Sequence, residues 1–332
     1  MNISFFPYQL VPKARLGAKA EPKPREGALL RVEHDGIGVG FSDLHPWPEL
    51  GDESLEKQLQ SLKMEKPLSL AKRSLQLSML DANARNDGVF LLKNKVIPKS
   101  HYLISDLRAF SEETRELLFL QGFSKLKVKM GLDLNWELSF LEDLAKPFEK
   151  AGIKFRLDFN LGLDELAAYR LLHRMSDRLK ERIDFLEDPF PYHPESWAQF
   201  RAKEGVPLAL DRFDALSFPL DLDAVDVLVL KPAIMDPSFV KAYEHFAEKR
   251  IVITSYLAHP LDQLSAAYAA ALFHEEMPNT LDDCGLISHV SYQENSFSSQ
   301  LAVDGAKLVP PKGLGFGYQT TFLESQEWRE IL

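Results

Sequence analysis

The apolar and polar positions of the chain follow two different patterns, one before and one after about residue 97. In the first part, the strand-like runs "ISFFPYQL" and "GALLRVEHDGIGVGFSDL" precede two segments with helical periodicity, "DESLEKQLQSL" and "SLAKRSLQLSMLDANAR". Within the second run, Asp35-Gly36 is typical of a hairpin turn. Strands followed by helices predict a small α+β domain over residues 1–97.

From about residue 99, short apolar runs alternate with longer amphipathic stretches. The eight predicted strands are "HYLIS", "KLKVKM", "KFRLDFN", "IDFLED", "PLALD", "VDVLVLK", "RIVITS" and "NTLDDC". Helical stretches such as "DLNWELSFLEDLAKPFEKAG" follow most of them. Eight β/α repeats predict an α/β protein with a (β/α)8 barrel over residues 98–299. One unit would be degenerate, because the helix after "PLALD" is poorly marked.

Composition and charge narrow the class of protein. The chain has 332 residues, of which 45% are hydrophobic, and a formal net charge of −10, which argues against a nucleic-acid or anionic-membrane partner. A single cysteine, Cys284, excludes an intramolecular disulfide and is typical of a reducing compartment. Without a signal peptide or a span of about 18 apolar residues, we expect a soluble, cytoplasmic protein. The oligomeric state stays open.

Charged residues occur where the predicted barrel strands end. In "SKLKVKMGLDLN", apolar and polar residues alternate strictly, so a strand here has one apolar face and one face of lysines. Lys127 and Lys129 are the last two lysines on that face. In "KFRLDFN", the same alternation places Arg156, Asp158 and Asn160 on the inward face. Active sites of barrels form at the carboxyl ends of the strands. We therefore expect these polar side chains to lie at such a site.

Three carboxylates end successive strands, about one β/α unit apart: Asp158, Glu187 and Asp211. Lys231 ends the strand that follows. Oxygen ligands of this kind suit a hard cation, best Mg²⁺, for which Mn²⁺ can substitute. Charged strand ends exposed to solvent are the alternative explanation. Several charged residues that all point inward at one mouth argue against this explanation. Burying unpaired charges is costly, so such a series indicates a site in which the charges have partners.

Lysines on both sides of this acidic set indicate proton-transfer chemistry. A metal ion and a second ammonium group both favour the neutral form of a lysine, which can then act as a base. A metal that polarises a carboxylate, beside a lysine that takes the adjacent proton, predicts an enediolate intermediate. The substrate would be a small anionic carboxylate.

Five segments, "KVKM", "RLDFN", "FLEDPF", "ALDRF" and "VLKPA", together resemble the enolase superfamily, and the lysine pattern resembles its muconate-lactonizing subgroup. The resemblance covers most of the chain. Residues 1–97 are similar to the capping domain of that family. "KGLGFG" is similar to the segment through which the chain of that family returns from the barrel to the capping domain. The tail of about 300–332 would therefore belong with the capping domain. Within the subgroup, "GVGFSDLHPWPELGD" looks like the o-succinylbenzoate synthase family.

That resemblance implies a magnesium-dependent lyase of menaquinone biosynthesis. It would make o-succinylbenzoate from 2-succinyl-6-hydroxycyclohexadiene carboxylate by syn loss of water. Lys129 would remove the α-proton and deliver it to the departing hydroxyl, while magnesium on the three carboxylates would hold the enediolate. Lys231 would stay cationic over the substrate ring. Lys127 would assist electrostatically near the metal-bound carboxylate.

The substrate of that family carries two carboxylates, which need partners. Arg156 is one candidate, with a salt bridge inside the barrel as its alternative, and Asn160 shares its face. Ser255 is a candidate for the succinyl carboxylate, although "VITSYLAHP" departs from the serine-rich run of the family. The loop "PKARLGAKAEPKPREG" could close over an acidic ligand or simply be solvated. Its basic residues are Lys13, Arg15, Lys19, Lys23 and Arg25.

Other reactions stay open on the sequence. An N-acylamino acid racemase or dipeptide epimerase could work on the same site, with Lys231 exchanging protons as the second acid/base. His259 is another candidate base, but it falls four residues past Ser255, which counts against that role. Asp282 and Asp283 could bind the amine of a dipeptide substrate. These acids are adjacent rather than alternate, which counts against that use. A Schiff-base aldolase would use one of the lysines without the carboxylates. A barrel that only binds would have no reason to keep all five charges.

Overall fold

The computed structural model describes residues 1–18, 23–149, 151–211, 221–238 and 248–331. The strands in these ranges are β1 (Asn2–Leu10), β2 (Arg25–His34), β3 (Gly38–Leu44), β4 (Tyr102–Ile104), β5 (Lys125–Lys129), β6 (Lys154–Asp158), β7 (Ile183–Glu187), β8 (Leu208–Leu210), β9 (Val227–Leu230), β10 (Arg250–Ile253), β11 (Ala302–Asp304), β12 (Lys307–Val309) and β13 (Arg329–Glu330). The helices are α1 (Leu55–Lys63), α2 (Ser69–Asn86), α3 (Glu112–Gln121), α4 (Leu134–Glu149), α5 (Glu165–Arg174), α6 (Asp177–Arg182), α7 (Pro194–Glu204), α8 (Pro260–Glu276) and α9 (Thr320–Glu324). The degenerate unit predicted after "PLALD" falls on residues 212–220, outside the described ranges.

The first part of the chain forms an antiparallel sheet in the order β13-β1-β2-β3. The predicted hairpin is confirmed, because β2 and β3 pair antiparallel from His34 opposite Gly38. Gly36 in the turn has φ +75°, in the left-handed region that glycine adopts without strain. The two helices predicted from periodicity follow as α1 and α2.

Helix α2 packs unusually close to β3 because a glycine faces it. A Cβ added to Gly40 would lie 1.9 Å from the Ser78 carbonyl oxygen, so a larger residue would push the helix away. One helix turn further, the buried Asp81 accepts hydrogen bonds from the amides of Phe41 and Phe316, both at 2.9 Å. This one carboxylate therefore joins α2, β3 and the tail.

The parallel sheet has seven strands within the described ranges, in the order β10-β9-β8-β7-β6-β5-β4. The predicted eighth strand, "NTLDDC", is reduced to isolated parallel bridges that reach both edges. Leu281 pairs with Ile251 of β10, and Cys284 pairs with Ser100 just before β4. The amide of His101 also donates to the Cys284 carbonyl at 2.7 Å. The sheet thus closes on itself, and the predicted barrel fold is confirmed.

Side chains of the barrel strands alternate between the helix layer and the interior, as predicted. Leu126, Val128 and Leu157 point outward and are buried in the main core with the helices. A separate, smaller apolar cluster fills the barrel interior and consists of Phe185, Ala209, Val227, Val229 and Val252. Layers of this kind make the barrel a packed core rather than a pore.

The tail returns from the barrel to the first sheet, where β13 pairs with β1. In "KGLGFG", the amide of Gly315 donates to the Val89 carbonyl and its carbonyl accepts from the Leu91 amide, both at 2.9 Å. These bonds make the segment a return loop. The domain boundaries near residues 97 and 299 stay a prediction. None of the helices in the described ranges has both the length and the apolarity that a bilayer crossing requires.

Candidate active site

The structure brings the charged residues predicted from the strand ends together at one mouth of the barrel. They are Lys127 and Lys129 on β5, Asp158 on β6, Glu187 on β7, Asp211 after β8 and Lys231 after β9. Their side chains are between 0% and 14% exposed. Parallel pairing sets Lys129 beside Asp158 and Asp158 beside Glu187. Such buried charges need partners.

The lysines of β5 alternate with the carboxylates of the next two strands. The Lys127 Nζ donates to both oxygens of Glu187, at 2.7 and 2.6 Å, and lies 2.9 Å from Asp158 Oδ2. The Lys129 Nζ donates to Asp158 Oδ2 at 2.6 Å and to Asn160 Oδ1 at 3.1 Å. Asp158 is therefore shared between two ammonium groups.

Lys231 lies on the other side of the acidic set. Its ammonium pairs with the Asp211 carboxylate and lies 5.6 Å from the centroid of the Tyr256 ring. The amide of Asp211 donates to Asp188 Oδ1 at 3.1 Å, which links the ends of two neighbouring strands. Among the residues that the structure describes, four carboxylates and three ammonium groups thus meet at the mouth.

Burial and mutual repulsion shift the titration of these groups. Burial raises the pKa of Glu187 to about 7, and the charges of Asp158 and Asp211 add to the effect. Burial and the same crowding hold the pKa of Asp188 well above its usual range. Although burial opposes them, the surrounding carboxylates raise the pKa of Lys127, and the neighbouring lysines lower that of Asp158. Lys127 is therefore a permanent cation of the site.

Several residues directly after the strand ends have left-handed backbone conformations. Asn160 has φ +46°, Leu161 +56°, Asp188 +43° and Leu257 +53°. Non-glycine residues in this region cost of order 1 kcal/mol each, and they persist where surrounding contacts impose the conformation. The amide of Asn160 donates to Asp158 Oδ1 at 3.0 Å, which is one such contact.

A pocket opens at this mouth. The three lysines line it together with two predicted substrate-binding residues, Asn160 and Ser255. Ser255 is buried, and its hydroxyl lies 2.7 Å from that of Ser288, which also lines the pocket. From the first part of the chain, Trp47, Glu49 and Leu50 cover the pocket.

Two neutral hydrogen-bond donors on the pocket floor, His101 and Thr254, were not predicted from the sequence, because neither belongs to a recognisable motif. His101 Nδ1 lies 2.8 Å from Arg156 Nη1. A guanidinium can only donate, so Nδ1 accepts and Nε2 carries the proton of the neutral ring. Burial and the charges of Arg156 and Lys127 hold the pKa of His101 well below its usual range. Among the described residues the buried Thr254 hydroxyl has no hydrogen-bond partner. Both residues line the pocket beside Gly285.

Arg156 lies beneath this floor rather than in the pocket. It is fully buried, donates to Asp184 Oδ2 at 2.8 Å and is 3.2 Å from Asp282 Oδ1. Its charge is therefore neutralised inside the barrel, which is the alternative considered from the sequence. The predicted direct contact with a substrate anion has no support in this geometry. Arg156 acts on the pocket through His101.

The remaining candidates are absent from the described lining of the pocket. His259 is buried at the start of α8, and burial lowers its pKa to about 3. Asp282 pairs with Arg250 at the amino ends of the strands, opposite the mouth, and Asp283 accepts from the Ser124 hydroxyl at 2.5 Å. Cys284 is buried, and burial raises the pKa of its thiol to about 12. These positions suit structural roles.

The loop between β1 and β2 reaches the same mouth. Arg15 donates to the carbonyls of Gly17 and Ala18, at 3.1 and 3.0 Å. A Cβ added to Gly17 would lie 3.7 Å from the Lys129 side chain, so the loop passes over that lysine. Lys19 lies outside the described residues.

The donor chemistry of the carboxylates fits a hard divalent cation. Asp158, Glu187 and Asp211 offer oxygen ligands on neighbouring strands, and all three act on the Lys127 ammonium. Within the described ranges, no three Asp, Glu, His or Cys side chains are grouped closely enough to hold an ion. Lysine ammonium groups lie between the carboxylates instead. A metal ion would take over the carboxylates that these lysines now share.

Comparison with known families matches two parts of the chain. Residues 3–84 match the model described as "O-succinylbenzoate synthase, N-terminal domain". Residues 109–322 match the model described as "Enolase C-terminal domain-like". The two matches coincide with the antiparallel sheet and with the barrel.

Individual relatives agree with these matches. An o-succinylbenzoate synthase from Bdellovibrio bacteriovorus is 32% identical over 334 residues, which cover 100% of this chain and 99% of the relative. The solved L-Ala-D/L-Glu epimerase from Bacillus subtilis has a TM-score of 0.75 at 17% identity, covering 96% of this chain and 98% of its own. A dipeptide epimerase from Cytophaga hutchinsonii, complexed with Mg and a dipeptide, has a TM-score of 0.73 at 15% identity, covering 100% and 99%. At such low identity the two structures show the fold alone.

Proposed function

The chain belongs to the o-succinylbenzoate synthase family within the enolase superfamily, and we propose that it dehydrates 2-succinyl-6-hydroxycyclohexadiene carboxylate to o-succinylbenzoate, a step of menaquinone biosynthesis. One observation carries the proposal. Lys129 and Lys231 line the same pocket, and each is paired with a different carboxylate of the same mouth. Two amines in one pocket can divide the work between a base and a stabilising cation.

Lys129 is the proposed base. It removes the α-proton of the substrate, and the C–H electron pair becomes the negative charge of an intermediate. That electron pair then forms the new double bond as the C–O bond to the hydroxyl breaks. The same ammonium then gives its proton to the leaving hydroxyl, so that water is released from the face on which the proton was taken. One group acting first as base and then as acid accounts for a syn elimination. Asn160, 3.1 Å from Lys129 Nζ, helps to orient the amine.

Lys231 and Lys127 are proposed to stay charged throughout. Lys231 faces the intermediate as a cation from the far side of the acidic set, where its ammonium pairs with the Asp211 carboxylate. Lys127 is buried between two carboxylates, and its raised pKa keeps it protonated. Fixed positive charges of this kind stabilise negative charge that develops on the substrate without reorganising.

The three carboxylates Asp158, Glu187 and Asp211 are proposed to hold Mg²⁺. When bound, the ion supplies positive charge that neutralises the charge developing on the substrate carboxylate. Burial and, after it, the charges of Asp158 and Asp211 raise the pKa of Glu187. The part due to the neighbouring carboxylates supports this assignment, because a divalent cation relieves repulsion between them. The dipeptide epimerase of similar fold was solved with Mg.

The second carboxylate of the substrate needs donors that are not already neutralised. The pocket floor provides the His101 Nε2 proton and the Thr254 hydroxyl. Ser288 already donates to Gln263 Oε1 at 3.0 Å, so within the Ser255–Ser288 pair it is Ser255 that can turn its proton to an anion. Neutral donors bind an anion without the cost of burying a further charge. We propose that they receive the succinyl end. The paired acids required for an epimerase lie at the opposite end of the barrel, which disfavours that alternative.

An activity assay tests the proposal. Purified protein, stripped of metal and resupplied with Mg²⁺, is incubated with 2-succinyl-6-hydroxycyclohexadiene carboxylate, and o-succinylbenzoate is followed by absorbance. We expect turnover that requires the divalent ion. N-succinylamino acids in deuterated water serve as the comparison, because a racemase would incorporate deuterium at their α-carbon. If deuterium enters at the α-carbon of these amino acids and no o-succinylbenzoate forms, the protein is a racemase and the proposed synthase function is wrong.

A further inference from the structure

Tyr256, just after β10, is held by hydrogen bonds from three sides. Its hydroxyl donates to Asp52 Oδ2 at 2.7 Å, and its carbonyl accepts from the Trp47 indole nitrogen at 2.9 Å. Its amide donates to Asp262 Oδ2 at 2.8 Å. The residue is 2% exposed. Because Trp47 and Asp52 belong to the first part of the chain, Tyr256 ties segment 47–52 to the barrel.

Segment 47–52 forms part of the cover of the pocket. Trp47, Glu49 and Leu50 line the pocket together with Tyr256. The segment is also bound within itself, since the Trp47 amide donates to Asp52 Oδ2 at 2.8 Å. One carboxylate oxygen therefore holds both the turn of the cover and the tyrosine of the barrel. Hydrogen bonds to a charged acceptor are stronger than neutral ones.

The same tyrosine faces Lys231, the stabilising cation of the proposed mechanism. The Lys231 Nζ lies 5.6 Å from the ring centroid, within the range of a cation–π contact. The ring and the Asp211 carboxylate together restrict the directions that this ammonium can take. A change in the position of the ring would move the cover and the lysine at once.

We propose that Tyr256 is a positioning residue that couples closure of segment 47–52 over the substrate to the orientation of the Lys231 ammonium. The hydroxyl holds the cover and therefore acts on substrate affinity. The ring holds the lysine and therefore acts on the rate of the chemical step. The part that concerns Lys231 rests on the proposed function, whereas the contact with Asp52 stands independently of it.

Two substitutions separate the hydroxyl from the ring. Tyr256→Phe removes the bond to Asp52, and we expect KM to rise ~10-fold, equal to a loss of about 1.4 kcal/mol, with kcat changed less than about threefold. Tyr256→Leu also removes the ring, and we expect kcat to fall by roughly a further tenfold. Tyr318→Phe is the matched control. Tyr318 is buried and donates to the Phe297 carbonyl at 2.9 Å, away from the pocket, so KM and kcat should stay as in the wild type.

A readout without substrate tests the contact itself. Amide hydrogen exchange of peptides that contain segment 47–52 should become faster in Tyr256→Phe and in Asp52→Ala, but not in Tyr318→Phe. In the Asp52→Ala background, Tyr256→Phe should have no further effect on KM, because both changes remove the same bond.

Specific outcomes would overturn the inference. If Tyr256→Phe keeps the wild-type KM and the wild-type exchange of segment 47–52, the hydroxyl does not hold the cover. If Tyr256→Leu has the same kcat as Tyr256→Phe, the ring does not position Lys231. Absence of turnover in the wild type would refute the proposed function and the role given to Lys231. The contact with Asp52 would still be tested by exchange: faster exchange of segment 47–52 in Tyr256→Phe supports it, and unchanged or slower exchange refutes it.

Discussion

The Lys127 ammonium donates hydrogen bonds to both oxygens of the Glu187 carboxylate, at 2.7 and 2.6 Å, with both side chains almost completely buried. The pair lies at the centre of the charged mouth, where Asp158 is a second partner of the same ammonium. A buried pair of this kind contributes little net stability compared with an apolar pair of the same shape. Removing one partner is costly, because the other charge is left uncompensated.

Stability should therefore depend strongly on Lys127. We expect Lys127→Ala to lower the free energy of unfolding by about 3–5 kcal/mol, measured by urea denaturation at pH 7. Lys146→Ala is the control, since Lys146 pairs with Asp143 on the exposed surface and should cost less than about 1 kcal/mol. The double variant Lys127→Met/Glu187→Leu should recover part of the loss. A Lys127→Ala protein as stable as the control would show that the buried carboxylates do not need this lysine.

Turnover should depend on Lys129 through proton transfer. Replacing Lys129 by alanine removes the base and should lower kcat by a factor of roughly 10²–10⁴ or more, with magnesium binding largely retained. Steady-state kinetics and a magnesium titration of the same preparation measure both quantities. Wild-type activity in Lys129→Ala would contradict the assignment of the base. Lys146→Ala again serves as the control, and its kcat should not change.

Divalent ions should stabilise the folded protein. The carboxylates Asp158, Glu187 and Asp211 are assembled only in the folded chain, so a ligand that binds them shifts the unfolding equilibrium. At ion concentrations near 100 times Kd the stabilisation is about 2.7 kcal/mol, which raises Tm by a few degrees in a chain of this size. Differential scanning fluorimetry with and without Mg²⁺ measures the shift. Glu187→Gln should reduce it, and an equal shift in that variant would place the ion elsewhere.

Acid should destabilise the protein through buried neutral histidines. His45 is 2% exposed, and burial, with a smaller effect of the Arg25 charge, lowers its pKa to about 3. An unfolded histidine titrates near 6.5, so between these values the unfolded chain binds a proton that the folded chain does not. The stability contributed by neutral His45 is present above pH 6.5 and is lost as the pH falls towards 3.

The measurement compares variants at two pH values. Between pH 7 and pH 5, the free energy of unfolding of the wild type should fall by about 2 kcal/mol more than that of His45→Gln. His173 is 57% exposed, and His173→Gln should follow the wild type. Parallel curves for the wild type and His45→Gln would show that His45 is not held neutral in the folded protein.

Local patterns were sufficient to predict the charged mouth. The alternation of "KLKVKM" and "KFRLDFN" indicates which side chains of β5 and β6 face inward, and all parallel strands of a barrel end at the same rim. Lys129, Asp158 and Glu187 therefore had to meet if the barrel formed. This prediction needed no knowledge of contacts between distant parts of the chain. The β/α repeat itself implies that the ends of successive strands lie side by side.

Contacts between the first part of the chain and the barrel could not be predicted in this way. The Trp47 indole reaches the Tyr256 carbonyl across 209 positions of sequence. Neither residue lies in a repeat, and each would suit an ordinary apolar core equally well. Their pairing arises when the first sheet and its helices dock on the rim.

Arg156 shows the same division most clearly. Its inward direction follows from the alternation of β6, but its partner depends on a register shift between β6 and β7, where Phe155 faces Ile183 and Arg156 faces Phe185. The extra residue at this bulge, Asp184, turns to Arg156 and neutralises it below the pocket. Counting in steps of two cannot detect an inserted residue, because a bulge is defined only by the pairing of two strands. Residue order thus decided which faces point inward, and strand pairing decided which charges remain available to a substrate.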